Sequence, residues 1–205
     1  MIQLDLKSGL DFRLIQAKLG STPLESKKIL KQAINATAKK TLPMTGEHAQ
    51  KTYDVKKEAF NKGKGKYADV KIKNASNSRL EAQILFSGHK LELIQYKTNP
   101  AGAVDPRNPP DMVRGHVLKS SGLKPIIKNG QKGFIVKFKS GHITVAARDN
   151  KKRFPIKTIY SPSIPQIVGS KKLLSSIKNE VSEILYTETN KRMDKFLRKK
   201  AKQGA

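Results

Sequence analysis

The sequence predicts an α+β fold, with antiparallel β hairpins forming a sheet that packs with an N-terminal helix and a long C-terminal helix. Three observations predict it. A capped apolar stripe of helical spacing begins at residue 23, two strand-turn-strand patterns occupy the middle, and a second helical stripe fills the end of the chain. The predicted organisation is an α+β body over residues 1–169, followed by a helix over 170–205 with a basic end.

The opening "MIQLDLK" alternates Ile2, Leu4 and Leu6 with polar neighbours, as a short half-buried strand does. Ser21-Thr22-Pro23-Leu24-Glu25 is a helix start: Thr22 can cap, Pro23 suits the first helical position, and Glu25 closes a capping box three residues on. Behind it Leu30, Ala33, Ile34, Ala38 and Leu42 share one face, while Lys27, Lys28, Lys31, Lys39 and Lys40 lie largely off it. The spacing predicts a helix over 23–41 that ends before Pro43.

Residues 44–66, "MTGEHAQKTYDVKKEAFNKGKGK", read as short helical pieces around a charged turn. A helix-turn-helix is one reading, with Val55, Ala59 and Phe60 as helical contacts and lysines for phosphate affinity. The segment lacks a defined turn and base-reading polar residues, so two capping helices on a sheet, ended by Gly63 and Gly65, are preferred.

The middle is β. Leu80, Ala82, Ile84 and Phe86 alternate, and Ser87-Gly88 is predicted to turn the chain into Leu91-Glu92-Leu93. Phe134, Val136 and Phe138 alternate with lysines, and Ser140-Gly141 turns into Ile143 and Val145. If that face is inward, Phe138→Asp abolishes folding. Between the hairpins, residues 97–115 hold four prolines and almost no periodic signal, which predicts a long loop of mobile or functional character.

Residues 160–170, "YSPSIPQIVGS", carry no charge in a lysine-rich chain. Pro162 and Pro165 forbid a regular helix there and remove two donors from any ladder, which predicts a stiff apolar connector. After it Ser170 can cap a helix in which Leu173, Ile177, Val181, Ile184, Leu185, Met193, Phe196 and Leu197 recur mostly at three- and four-residue intervals. A helix from 171 to 200 is about 45 Å long, against a radius of gyration of about 17 Å for a compact chain of this size. Its end, "KRMDKFLRKKAK", is therefore predicted to protrude.

The 205 residues carry 42 Lys plus Arg against 16 acids, a net charge of +26. Nucleic acid, an acidic protein or an anionic membrane would each neutralise that excess, and simple solubility is the other reading. Lys dominates Arg, which suits a diffuse polyanion contact better than base readout. No apolar run is long enough to span a bilayer, the first residues do not read as a signal peptide, and no membrane partner is expected. The absence of Cys excludes disulfides and thiolate metal sites, and fits assembly in a reducing cytosol.

Nothing in the sequence composes a reaction centre. His89 and His142 each follow a Ser-Gly turn, but no helix presents a His pair and no acid stands at ligand spacing. Each of His48, His89, His116 and His142 is expected to cover a hairpin end or donate to a loop carbonyl. No phosphate loop appears, Ser87 and Ser140 lack a nucleophile-elbow context, and the acids are scattered. A non-enzymatic protein without metal or cofactor is expected.

The stretch "GFIVKFKSGHITVAARDNKKRFPIKTIYSPSIPQIVGS" resembles the second half of the minor tail protein Z (tail completion) family of long-tailed phages and prophages. It is similar to that family's pattern at Phe134, Ser140, Gly141, His142, Arg148, Tyr160, Pro162, Ser163, Pro165 and Gln166. It departs at Ser161, where Gly is usual, which implies that the turn there needs no positive φ. "LKQAINATAKKT", "YDVKKEAF" and "IKNASNSRLEAQILFSGHKLELIQY" resemble the family's first half more loosely.

The resemblance implies a structural component of the virion tail, assembled in the host cytoplasm and acting in tail completion and head–tail joining. It would act as a homo-oligomeric ring at the head-proximal end, with other tail or neck proteins as partners and DNA passing through the channel. Tyr160, Pro162, Ser163, Ile164 and Pro165 are candidate interface residues, together with Gln166, Ile167, Val168, Phe196 and Leu197. Ile164, Ile167 and Val168 could pack under the sheet or against a neighbouring copy. Candidate DNA or polyanion contacts are Lys51, Lys56, Lys57, Lys62, Lys64 and Lys66, with Arg198, Lys199 and Lys200 at the terminal helix end. The alternative function is a basic protein that contacts DNA phosphates without sequence preference.

Overall fold

The computed structural model describes residues 2–7, 17, 22–55, 57–64 and 67–203. Strand β1 (Ile2–Lys7) forms where alternation places it, although its side chains lie outside the described set. Helix α1 (Pro23–Thr52) starts as its sequence dictates: the Thr22 hydroxyl accepts from the Glu25 N–H, and the Glu25 carboxylate accepts from the Thr22 N–H at 2.9 Å.

α1 does not end before Pro43. The missing N–H and ring clash of an interior proline cost about 3 kcal/mol. Pro43 is exposed, as is Lys39, so the carbonyl left without its helical donor belongs to the solvent side. On the other side Leu42, Met44 and Ala49 are buried, and each large side chain so buried contributes about 1.5–3 kcal/mol. Packing outweighs the proline. The same continuation removes the helix-turn-helix reading, because residues 44–52 are the last turns of α1. The chain then reverses through a 3₁₀ turn, Lys57–Phe60, and no second helix forms before β2 (Gly63–Lys64). Gly65, the other proposed helix terminator, lies outside the described residues. Gly46 makes room for this turn: a Cβ there would stand 3.2 Å from Phe60 Cβ.

Strands β3 (Asp69–Lys73) and β4 (Glu81–Ser87) complete an antiparallel sheet in the order β1-β4-β3-β2. Ala82, Ile84 and Phe86 point inward with no exposure, as the alternation predicts, and α1 packs over them. The predicted return through Ser87-Gly88 does not form. β4 pairs with β1 and β3, with Ile84 opposite both Leu4 and Ile72. Strand β5 (Leu91–Glu92) pairs instead with a distant partner near residue 160. Gly88 serves a close crossing, since a Cβ there would lie 2.9 Å from the Tyr67 carbonyl oxygen.

A second body of short strands follows. β6 (Lys97–Asn99), β7 (Arg114–His116) and β8 (Lys124–Pro125) form one sheet. Asn99 lies opposite Arg114, so the long loop is closed at its base and spans 100–113, anchored by buried Val113. A hairpin of β9 (Ile127–Lys128) and β10 (Gln131–Lys132) leads into the sheet β11 (Phe134–Lys137), β12 (Ile143–Arg148) and β13 (Ile156–Thr158).

The β11–β12 hairpin is the predicted one, turning at Gly141 with φ +83°. On β11 the inward face is the opposite of the one predicted, while Val145 of β12 faces the core. Ile135 and Val145 enter a core with Leu93, Val113 and Ile126, whereas Phe138 is 40% exposed and stacks on His142. "FIVKF" is apolar on both faces, and its period alone cannot choose between them.

The uncharged segment is also more regular than expected. It comprises strand β14 (Tyr160–Ser161), paired with β5, and a short helix α2 (Ile164–Val168). Pro165 lies in the first turn, where no N–H is needed. Ser163 and Gln166 form a capping box in which the Gln166 side chain accepts from the Ser163 N–H at 2.9 Å. Ser161 needs no positive φ, as its departure from the family pattern implied.

Helix α3 (Lys171–Gln203) runs antiparallel to α1 along its length. Its basic end does not project alone: Met193 and Phe196 pack on Ile29 and Leu30 in the first turns of α1.

Candidate interaction surfaces

The segment between the β body and α3 is fixed from three sides. Tyr160 and Ser161 pair with Glu92 and Leu91. The Tyr96 hydroxyl donates to the Pro162 carbonyl at 2.5 Å, and burial pushes the Tyr96 phenol far above its ordinary range, which keeps it a donor. Ile164, Ile167 and Val168 are fully buried in the main core beside Ile34, Phe86 and Leu173.

Of the candidate interface residues, Ser163, Ile164, Pro165, Ile167 and Val168 are buried within the protomer. Pro162 is half-buried, Gln166 is exposed but committed to the cap, and Tyr160 stands 56% exposed.

The helix pair is locked by a cluster centred on Glu188, which is only 5% exposed. Lys40 Nζ donates to Glu188 Oε1 at 2.6 Å, and Arg192 donates both to the other carboxylate oxygen and to the Glu188 carbonyl. The Lys40 hydrogen bond holds the carboxyl below its ordinary range against the opposing effect of burial, and Arg192 adds to it. One helical span away, His48 contacts Ser176 Oγ at 3.1 Å and Glu180 Oε1 at 3.0 Å. Phe196 is turned inward on Ile29, while the neighbouring Leu197 is 41% exposed.

The basic candidates do not form one patch. Lys51 and Lys62 are exposed at one end of the helix pair, and Arg198, Lys199 and Lys200 are exposed at the other. Antiparallel packing with a 1.5 Å rise separates the two ends by roughly 40 Å. Lys56 and Lys66 lie outside the described residues, as do the side chains of Lys57 and Lys64.

Three histidines meet carboxylates where hairpin ends or loop carbonyls were expected. His48 faces Glu180, His116 faces Asp54 at 2.9 Å, and His142 faces Glu92 at 3.1 Å while also covering its own hairpin through Phe138. Among the described residues no group of three or more His, Asp or Glu is arranged to hold a metal. No described helix is long and apolar enough to cross a membrane.

Tyr96 and the Lys40–Glu188–Arg192 cluster escaped sequence reading. The one local signal was the four-residue spacing of Glu188 and Arg192 on a helix.

A family model described as prophage minor tail protein Z matches residues 23–203, from the first residue of α1 to the last of α3. No curated protein and no solved structure matches the chain.

Proposed function

The chain belongs to the prophage minor tail protein Z family, and from that premise we propose that it acts, without catalysis, in tail completion and head–tail joining. Family membership makes it a structural component of a phage tail and places it in the virion. The finer reading is a closed ring of identical subunits at the head-proximal end of the tail, assembled in the host cytoplasm and in contact with neighbouring tail or neck proteins.

The family match over both helices and the joint between them carries this reading. Two features support the ring. The joint and the helix pair are rigidly tied, so a subunit can transmit a fixed angle to its neighbour. Tyr160 and Leu197 expose apolar surface near opposite ends of α3, and rings are built from head-to-tail contacts between two different patches of one chain.

The test is the mass of the purified protein in solution with and without Tyr160→Asp or Leu197→Asp. A defined oligomer that either substitution disperses, with folding intact, supports the reading. A monomer that never associates with tail or neck proteins contradicts it.

A further inference from the structure

The end of the β11–β12–β13 sheet opposite the Gly141 turn gathers cations in an unusual setting. Arg148 ends β12 with its guanidinium carbon 5.1 Å from the centre of the Phe134 ring. In the loop that follows, Arg153 stands 5.6 Å over the ring of Phe154, which is itself 64% exposed. Lys151 and Lys152 are exposed between them. The loop's one acid, Asp149, is bound by Lys157 at 2.5 Å, and Asn150 Oδ1 accepts from the Lys152 N–H at 2.9 Å. Among the described residues neither Arg148 nor Arg153 has a carboxylate partner.

We propose that this sheet end, from Arg148 through the loop to Phe154, is a docking surface for the phosphate backbone of DNA. The chain holds 34 Lys and only 8 Arg, and two of those Arg stand here, each over an aromatic ring. The cation–π contact restrains the guanidinium, whose fork of N–H donors matches two phosphate oxygens in a way that a lysine ammonium does not. The exposed Phe154 ring adds a face on which a frayed or unpaired base can stack. An acidic protein segment would be drawn by the same charge but has less use for an exposed aromatic ring beside two arginines. The surface is distinct from the basic ends of the helix pair, and the proposal stands independently of the ring reading.

The experiment measures binding of the full-length protein to a duplex of about 30 base pairs of arbitrary sequence across roughly 50–200 mM salt, where phosphate contacts weaken steeply. Replacing both arginines (Arg148→Ala, Arg153→Ala) is expected to lower affinity at least about tenfold and to shallow the salt dependence by about two phosphate contacts. The lysine pair (Arg148→Lys, Arg153→Lys) keeps the salt slope and recovers only part of the affinity. Removing Arg198 and Lys199 costs less than removing the arginine pair. Unchanged circular dichroism and an unchanged oligomer mass show that the alanine variant still folds and assembles. The proposal is overturned if the parent does not bind DNA, or if the alanine pair binds with the parent's affinity and slope. Tighter binding to polyglutamate than to DNA overturns it in favour of an acidic protein partner.

Discussion

The Tyr96 hydroxyl donates a hydrogen bond to the Pro162 carbonyl at 2.5 Å, across 66 residues of chain. This contact pins the turn between β14 and α2 to the end of the neighbouring 3₁₀ turn, Leu93–Gln95. Tyr96→Phe removes the donor and leaves a part-buried carbonyl unpaired, an expected loss of about 1–3 kcal/mol in denaturant unfolding. Burial raises the Tyr96 pKa above the ordinary 10.0, so the protonated phenol is linked to the folded state. That stability is intact below about pH 10 and is lost as pH rises toward the folded value. The Phe variant should lack this part of the alkaline loss.

Glu188 supplies the reverse pH dependence. Its folded pKa is depressed below 4.5, first by Lys40. The stabilisation is therefore present above the unfolded value and is lost as pH falls through the folded one. Glu188→Gln should cost on the order of 2 kcal/mol at neutral pH, less than a fully buried pair because Lys40 remains solvated. It should also flatten the acid limb of the stability curve. Lys40→Met leaves a buried Glu188 oxygen without its partner and should cost about 1–3 kcal/mol. Neutral results for both variants would contradict this assignment.

Phe138 and Ile135 separate the two registers of β11. Phe138→Asp should fold and lose less than about 1 kcal/mol, because its ring is partly in solvent. Ile135→Ala should lose about 2–4 kcal/mol by opening a cavity against Val145. Thermal unfolding of the two variants decides the matter.

Gly88 offers a test of the β4 connections. Gly88→Ala drives a Cβ to 2.9 Å from the Tyr67 carbonyl oxygen, and should destabilise the protein by about 1–3 kcal/mol. A neutral result would mean that the crossing is looser than its geometry.

What was legible in the sequence was local. The Thr22–Glu25 capping box, the turn at Gly141 and the helical span of α3 are each decided within a few residues, and each forms as predicted. Pairings across long separations were not legible. β5 joins β14, and Lys40 reaches Glu188 over 148 residues, through packing that no short window contains. Pro43 misled because tertiary burial of Leu42 and Met44 overrode a local helix breaker. Pro165 misled because a helix-breaking residue is tolerated in the first turn of a helix, here two positions after a capping serine. For the candidate surfaces, exposure of Tyr160 and Leu197 and burial of Ile164 and Ile167 depend on how segments distant in sequence pack together.

Electron cryomicroscopy of the intact particle is the decisive measurement. A closed ring is expected at the head-proximal end of the tail, into which the α1–α3 pair and the β body fit with Tyr160 at a subunit boundary. Density for this protein only at the distal tip, or none in the virion, would contradict it.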